Sequence, residues 1–410
     1  MLASSPAVGV FPVSVTAADI NRDGKVDLIC ANYGSNTLSV LTNNGRGGFT
    51  NSGTYPVGGN PISVTAADVN GDGRMDLICA NYGSNTLSVL TNNRSSRLVA
   101  AGTYPVGVRP RSVTAADVNG DGRVDLICAN YGDSTLSVLT NNGKGVFAAA
   151  GTYSVGAQPI TILAADVNGD GKVDLICANN GASTLSVLTN DGSGGFATAA
   201  SYPVSGIPYS ATVTDVNDDG KPDLICANEN KSTLSVLTND GRGGFALASS
   251  PGVGNLPHSV SAADVNGDGQ PDLICANYDD NTLSVLINVG DGNFATADTC
   301  PVGGGPYSVT AADVNGDGQP DLVSANSGSN TLSVLISAST FPPPKLAINR
   351  SGNNVIVLWP SALWGWALWQ NSSLATTNWS ASSGIADNGT NRSLTLTSPA
   401  GNLFFRLTNP

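Results

Sequence analysis

Short apolar runs alternate with polar turns along most of this chain, and the runs come back at a fixed interval. Residues 111–155 show one cycle. Arg111-Ser-Val-Thr-Ala-Ala116 reads as a first strand and Leu126-Ile-Cys-Ala129 as a second, wholly apolar one. Thr135-Leu-Ser-Val-Leu-Thr140 alternates polar and apolar residues as a third strand, and Phe147 to Val155 carries a fourth. Strand-sized runs spaced by roughly 8–12 residues predict an all-β fold, and Asn142-Gly-Lys-Gly145 is a hairpin signal between the third and fourth. The cycle repeats every 49 residues, seven times. A fixed period of roughly 20–50 residues marks a solenoid, propeller or array. Four antiparallel strands per repeat is the unit of a β-propeller blade. The pattern therefore predicts a seven-bladed β-propeller with four-stranded blades over residues 1–338.

The two ends of that region complement one another. The last repeat stops after Thr331-Leu-Ser-Val-Leu-Ile336 and lacks a fourth strand, whereas Leu2 to Gly9 aligns with one. The chain's start is expected to complete the last blade, which removes an unpaired sheet edge. Phe341-Pro-Pro-Pro344 makes residues 339–345 a stiff linker. Residues 346–410 lose the period but keep strand-like runs, among them Asn354-Val-Ile-Val-Leu-Trp359, Ser393-Leu-Thr-Leu-Thr397 and Leu403-Phe-Phe-Arg-Leu407. A small β-sandwich is expected there. It holds all five tryptophans, Trp359, Trp364, Trp366, Trp369 and Trp379. In so small a domain they read first as core, and second as a sugar-stacking platform.

Chemistry enters at the turn after each first strand. The second copy reads Asp68-Val-Asn-Gly-Asp-Gly-Arg-Met-Asp-Leu77. Oxygen-bearing side chains fall at its positions one, three, five and nine (Asp68, Asn70, Asp72, Asp76), and Arg74 at position seven would offer its backbone carbonyl. Gly73 at position six allows the sharp turn. Hard oxygen ligands at this spacing suit Ca²⁺, and carboxylates this close repel one another without a cation between them. The other copies supply Asp19, Asn21, Asp23, Lys25 and Asp27; Asp117, Asn119, Asp121, Arg123 and Asp125; and Asp166, Asn168, Asp170, Lys172 and Asp174. They continue with Asp215, Asn217, Asp219, Lys221 and Asp223; Asp264, Asn266, Asp268, Gln270 and Asp272; and Asp313, Asn315, Asp317, Gln319 and Asp321. About seven Ca²⁺, one per blade, are expected. An EF-hand would need a bidentate Glu at position twelve, where Cys79 stands here, and flanking helices. A dockerin would need a helix after the loop, and Pro222, Pro271 and Pro320 at position eight oppose one. The ions are expected to stiffen the scaffold, since near-identical sites suit repetition better than chemistry.

These loops change the meaning of the charge. The net charge is −13, but three aspartates in each of seven loops account for 21 of the 31 acidic residues. The remaining 10 face 18 Lys and Arg, and seven dications would bring the whole to +1. The acidity is thus no sign of a basic partner, and no basic stripe recommends nucleic acid. No apolar run approaches the roughly 20 residues that span a membrane. The start, Met-Leu-Ala-Ser-Ser-Pro, shows no secretory leader. Six of seven cysteines (Cys30, Cys79, Cys128, Cys177, Cys226, Cys275) occupy one strand position. Their equivalents in neighbouring repeats lie beyond the ~7 Å a disulfide spans, so they read as small buried hydrophobes.

The loop Asp-x-Asn-x-Asp-Gly-x-x-Asp-Leu, the Cys-Ala-Asn-Tyr-Gly turn and the Gly-x-Gly-x-Phe hairpin together resemble FG-GAP/VCBS repeats, over about residues 1–338. The resemblance implies a propeller of the integrin α-subunit type with Ca²⁺ between the first two strands of each blade. Relatives include adhesion proteins and fungal lectins. The C-terminal segment resembles the Ig-like or fibronectin-III-like modules that end secreted bacterial proteins.

Function is expected where the repeats differ. One such position follows the proline before the first strand: Val13, Ile62, Arg111, Ile160, Tyr209, His258 and Tyr307. The other is the turn between strands two and three: Tyr33, Tyr82, Tyr131, Asn180, Glu229, Tyr278 and Ser327. In a four-stranded blade both turns emerge on one face, and the metal loops on the other. Drift at tolerant surface turns competes with a binding surface as the explanation. Arg111, Tyr209, His258, Tyr307, Tyr33, Tyr82, Tyr131 and Tyr278 are the candidate ligand residues. The expected function is binding of a glycan or protein by a secreted or surface-exposed monomer. A propeller-based polysaccharide lyase or dehydratase, or a purely structural protein, are the alternatives. Catalysis is disfavoured by a single histidine among near-identical repeats.

Overall fold

The computed structural model describes residues 1–93, 97–337, 346–360, 367–372, 380–383, 385–387, 391–397 and 403–408. The expected linker, and Trp364, Trp366 and Trp379, lie outside the described residues. The chain divides into two compact units, Met1–Val265 with Pro271–Ser337 and Asn266–Gln270 with Ala338–Pro410.

Seven four-stranded antiparallel sheets make the blades. The first consists of Pro12–Ala18, Asp27–Asn32, Thr37–Asn43 and Phe49–Pro56, paired in that order. Each innermost strand opens on a proline (Pro12, Pro61, Pro110, Pro159, Pro208, Pro257, Pro306). A strand's first residue is a place where the missing N–H costs no ladder bond. The innermost strands touch their neighbours in a closed cycle, the seventh meeting the first. Backbone bonds to serine hydroxyls run along that cycle: the Val64 amide donates to Ser14 Oγ at 3.2 Å, and Val15 closes it on Ser308 at 3.3 Å.

The second strands, Asp-Leu-Ile-Cys-Ala-Asn in six blades, are buried end to end. Burial on both faces explains their unbroken apolar run. They sit in cores shared between adjacent blades. Ile29 and Leu38 of the first blade pack with Leu77 and Leu90 of the second. The fourth strands carry the solvent-facing residues. The six repeated cysteines are free and fully buried, and burial pushes their thiols well above the ordinary range.

Leu2–Ser4 supplies the outermost strand of the seventh blade, against Thr331–Leu335. The strand is shorter than Leu2 to Gly9. Beyond it Ala7 makes a single bridge to Thr331, and the Val8 amide reaches the Asn330 carbonyl. Met1 and Ile336 exchange backbone bonds at 2.7 and 2.9 Å, so first and last strands close the ring.

The C-terminal residues form two small antiparallel sheets. One orders Ala347–Ser351, Asn354–Pro360, Asn391–Thr397 and Ala386–Asp387; the other orders Ser380–Ala381, Ala367–Asn371 and Phe404–Thr408. Val357, Trp359, Leu368 and Leu394 make their shared core. Trp359 is 1% exposed and therefore a core residue, whereas Trp369 is half-buried.

Candidate functional site

The aspartate loops wind around their own side chains. In the second loop the Gly71 amide donates to Asp68 Oδ1 at 2.8 Å and the Gly73 amide to Asp68 Oδ2 at 2.7 Å. The Asp72 amide reaches Asn70 Oδ1 and the Arg74 amide reaches Asp72 Oδ1, both at 3.0 Å. Gly73 sits at φ 77°, a left-handed turn that glycine adopts without penalty. Side-chain oxygens at positions one, three and five thus fold the loop through turns of the Asx kind.

Position nine differs. Asp76 is fully buried, with Oδ2 accepting the Val69 amide and Oδ1 the Asn92 amide. Burial pushes its carboxyl up to about 6, against the pull of those two amides, and neighbouring Asp72 and Asp68 add to the rise. Asp27, Asp125, Asp174, Asp223 and Asp321 are raised for the same leading reason. Position five carries the loop's ion pairs: Lys221 lies 3.2 Å from Asp219, and Arg123 3.7 Å from Asp121. Among the described residues, no three His, Cys, Asp or Glu side chains converge closely enough to enclose an ion. The reason is local, since the carboxylates at positions one and five turn back onto loop amides or toward the cation at position seven. The donors nonetheless fit a hard cation in kind: all are oxygen, and the position-nine carboxylate is fully buried at the base of each loop.

Six of the loops are also tied to the next blade, the seventh loop by Asn43 through the Val314 carbonyl. The Asn92 side-chain amide donates to the Ile20 carbonyl, and Asn141, Asn190, Asn239 and Asn288 reach Val69, Val118, Val167 and Val216 in the same way. The Lys172 ammonium donates to the Asp191 carbonyl at 3.0 Å. Loops and strand-three-to-four hairpins therefore share one face.

The two variable turns are joined on the other side. The Tyr33 amide donates to the Phe11 carbonyl, Tyr82 to Asn60 and Tyr131 to Arg109. The post-proline residues are not in open loops. They stand in the innermost strands, where Arg111, Tyr209, His258 and Tyr307 meet across the ring. Val13, Ile62, Ile160 and His258 are buried; Arg111, Tyr209 and Tyr307 are partly so. Arg111 Nη2 donates to the hydroxyls of Tyr209 (2.5 Å) and Tyr307 (2.7 Å), which also bond each other. The His258 ring stacks between Tyr209 (centroids 4.1 Å apart) and Tyr278 (4.4 Å), with Nε2 3.5 Å from Glu229 Oε1. Burial holds the Tyr209 phenol far above its ordinary value, so it stays neutral. Tyr33, Tyr82 and Tyr131 form a separate half-buried arc, with ring centroids 6.4 and 6.5 Å apart and the Arg109 guanidinium 5.8 Å over Tyr82.

The FG-GAP-like repeat family matches this chain over residues 19–79, 68–128, 117–177, 166–226, 215–275 and 264–324. The chain belongs to that family. The FG-GAP propeller also has structural relatives, all of low identity. BBS1N in complex with ARL6DN matches at a TM-score of 0.62 with 12% identity, over 83% of this chain and 97% of that one. Virginiamycin B lyase from Staphylococcus aureus matches at 0.56 with 14% identity, over 81% and 98%. The Pseudomonas aeruginosa periplasmic gluconolactonase PpgL matches at 0.53 with 14% identity, over 80% and 89%. At this identity the likeness concerns the propeller fold alone. Among curated proteins none matches significantly.

Two features of this FG-GAP ring escape a reading of the sequence. The asparagine closing each third strand reads as part of a hairpin, yet its side chain clamps the preceding loop. Only its recurrence in six repeats signals a role; blade seven has Ser337, whose amide keeps the bond to Asp321. Glu229 was visible only as a variable turn residue, and its partner His258 is 29 residues away.

Proposed function

We propose that this FG-GAP chain is a calcium-stabilised extracellular propeller that binds a glycan or a protein on the face opposite its aspartate loops. One observation carries the reading. In a ring of near-identical blades, the singular residues Arg111, Tyr209, His258, Glu229 and Tyr307 gather at one channel mouth, beside an arc of tyrosines. Aromatic faces and fixed donors are what sugars and peptides both use. Calcium at the seven loops is the structural half of the proposal. Asp, Asn and Asp at positions one, three and five, the position-seven carbonyl and the buried position-nine Asp would hold each ion, which supplies charge neutralisation and loop stiffness. A scaffold held by seven calcium ions suits the millimolar calcium outside cells, and secretion or surface display is part of the proposal. Arrays of glycans and of proteins, probed with calcium and again with EDTA, test the reading. Binding with calcium and its loss in EDTA is expected; silence on both arrays with the calcium-loaded protein removes it.

A second reading is an eliminating enzyme acting on polysaccharide. The observation favouring it is that the lone histidine stands beside a carboxylate and three tyrosines, two of which are bonded to Arg111, a constellation with acid–base capacity. New ultraviolet absorbance from an unsaturated sugar product, on incubation with an acidic polysaccharide, would favour it over binding alone.

A further inference from the structure

The hydrogens at the channel mouth outnumber the acceptors. Arg111 carries five N–H hydrogens on a guanidinium that stays charged. Nη2 donates to Tyr209 and to Tyr307, and these are its hydrogen-bond partners among the described residues. The bond between the two phenols uses one phenolic hydrogen. That leaves the second phenolic hydrogen, Nε–H and both Nη1 hydrogens facing no acceptor there. Glu229 lies against His258, its Oε1 3.5 Å from Nε2. His258 beside it is 9% exposed, and its buried Nδ1 has no protein partner, so this mouth keeps polar capacity that the chain itself does not use. Arg111 is only partly buried, so its spare donors reach solvent and can be handed to an anion.

We propose that Arg111, Tyr209 and Tyr307 form a carboxylate-binding site at the channel mouth, and that its ligand is an acidic glycan bearing uronic or sialic acid. The guanidinium fork matches a carboxylate's two oxygens. The free phenolic hydrogen adds a third donor. The glycan, and not an acidic peptide, is favoured by what lies beside the site. Tyr33, Tyr82 and Tyr131 present half-buried rings at near-regular spacing on the same face, each tilted by 50° or 51° from the next, and Arg109 over Tyr82 adds a second cation. This inference rests on the binding reading above and names the ligand chemistry of that same face.

The test is a glycan array of uronate-bearing and sialylated oligosaccharides, each printed beside its carboxyl-reduced counterpart, with hexaglutamate spots. It is probed with the calcium-loaded full chain and with the variants R111M and Y307F. Methionine replaces a buried charge with an apolar side chain of similar length, so the fold of R111M should hold; its melting temperature checks this. The expected result is binding to carboxylated spots, weakened about tenfold or more by R111M, as loss of charge-assisted bonds implies, and less by Y307F. Binding of carboxyl-reduced glycans as strong as of the acids, and unchanged in R111M, overturns the inference while leaving the binding reading intact. Hexaglutamate as the sole bound spot overturns the glycan assignment, and an array silent at every spot overturns inference and glycan reading together. An R111M chain that melts well below the parent also overturns it, because the guanidinium would then be a structural strut.

Discussion

The side-chain amide of Asn92 donates to the carbonyl of Ile20 at 2.7 Å, across 72 residues of sequence. Its backbone amide donates to Asp76 Oδ1 of its own blade. One residue therefore fastens two loops, each by a different group. Asn92→Ala should leave the Asp76 bond and orphan the Ile20 carbonyl, at about 2 kcal/mol. Hydrogen exchange should rise mainly over residues 19–27, with residues 68–76 much less affected. Equal change in both loops, or none, would contradict the clamp.

Asp76→Asn should be costlier than its conservative look suggests. Both carboxylate oxygens accept buried amides, so an NH₂ group must face one of them. Loss of about 3 kcal/mol is expected, since the change breaks a buried bond and opposes two donors. Denaturant unfolding of the parent and the variant in EDTA isolates this term from any metal effect. A variant as stable as the parent would show the two bonds to be weak.

Position four of the loop is glycine in five repeats but Arg22 in the first and Asp218 in the fifth, both left-handed at φ 62° and 58°. A side chain there pays a steric penalty that glycine escapes. Arg22→Gly and Asp218→Gly should each stabilise by up to about 1 kcal/mol, read as a raised unfolding midpoint. A lowered midpoint in both would place the gain in contacts of the replaced side chains.

The blades and the loops were legible because both are local. A 49-residue period and an Asp-x-Asn-x-Asp-Gly pattern need nothing from the rest of the chain. The cluster was legible only in part. Residues 111, 209, 258 and 307 stand out as departures from the repeat, but their mutual bonding depends on ring closure. Arg111 and Tyr307 are 196 residues apart and meet because the innermost strands converge on one axis. The same convergence buries His258, which the sequence placed at a surface turn. The asparagine clamp was hidden for a similar reason, since its acceptor lies one blade away.

Chelation offers a global check. If calcium fills the loops, EDTA should lower the melting temperature, because each site held a hundredfold above its Kd contributes about 2.7 kcal/mol. Removal also leaves three aspartates in every loop without their cation. An unchanged melting temperature, with metal loss verified, would mean that the amide turns and asparagine clamps alone hold the ring.

Elemental analysis of the calcium-saturated, desalted chain measures directly whether the loops are metal sites. Seven intact loops predict close to seven calcium ions per chain. Two or fewer after saturation would contradict the assignment and leave the loops as turns built on their own side chains.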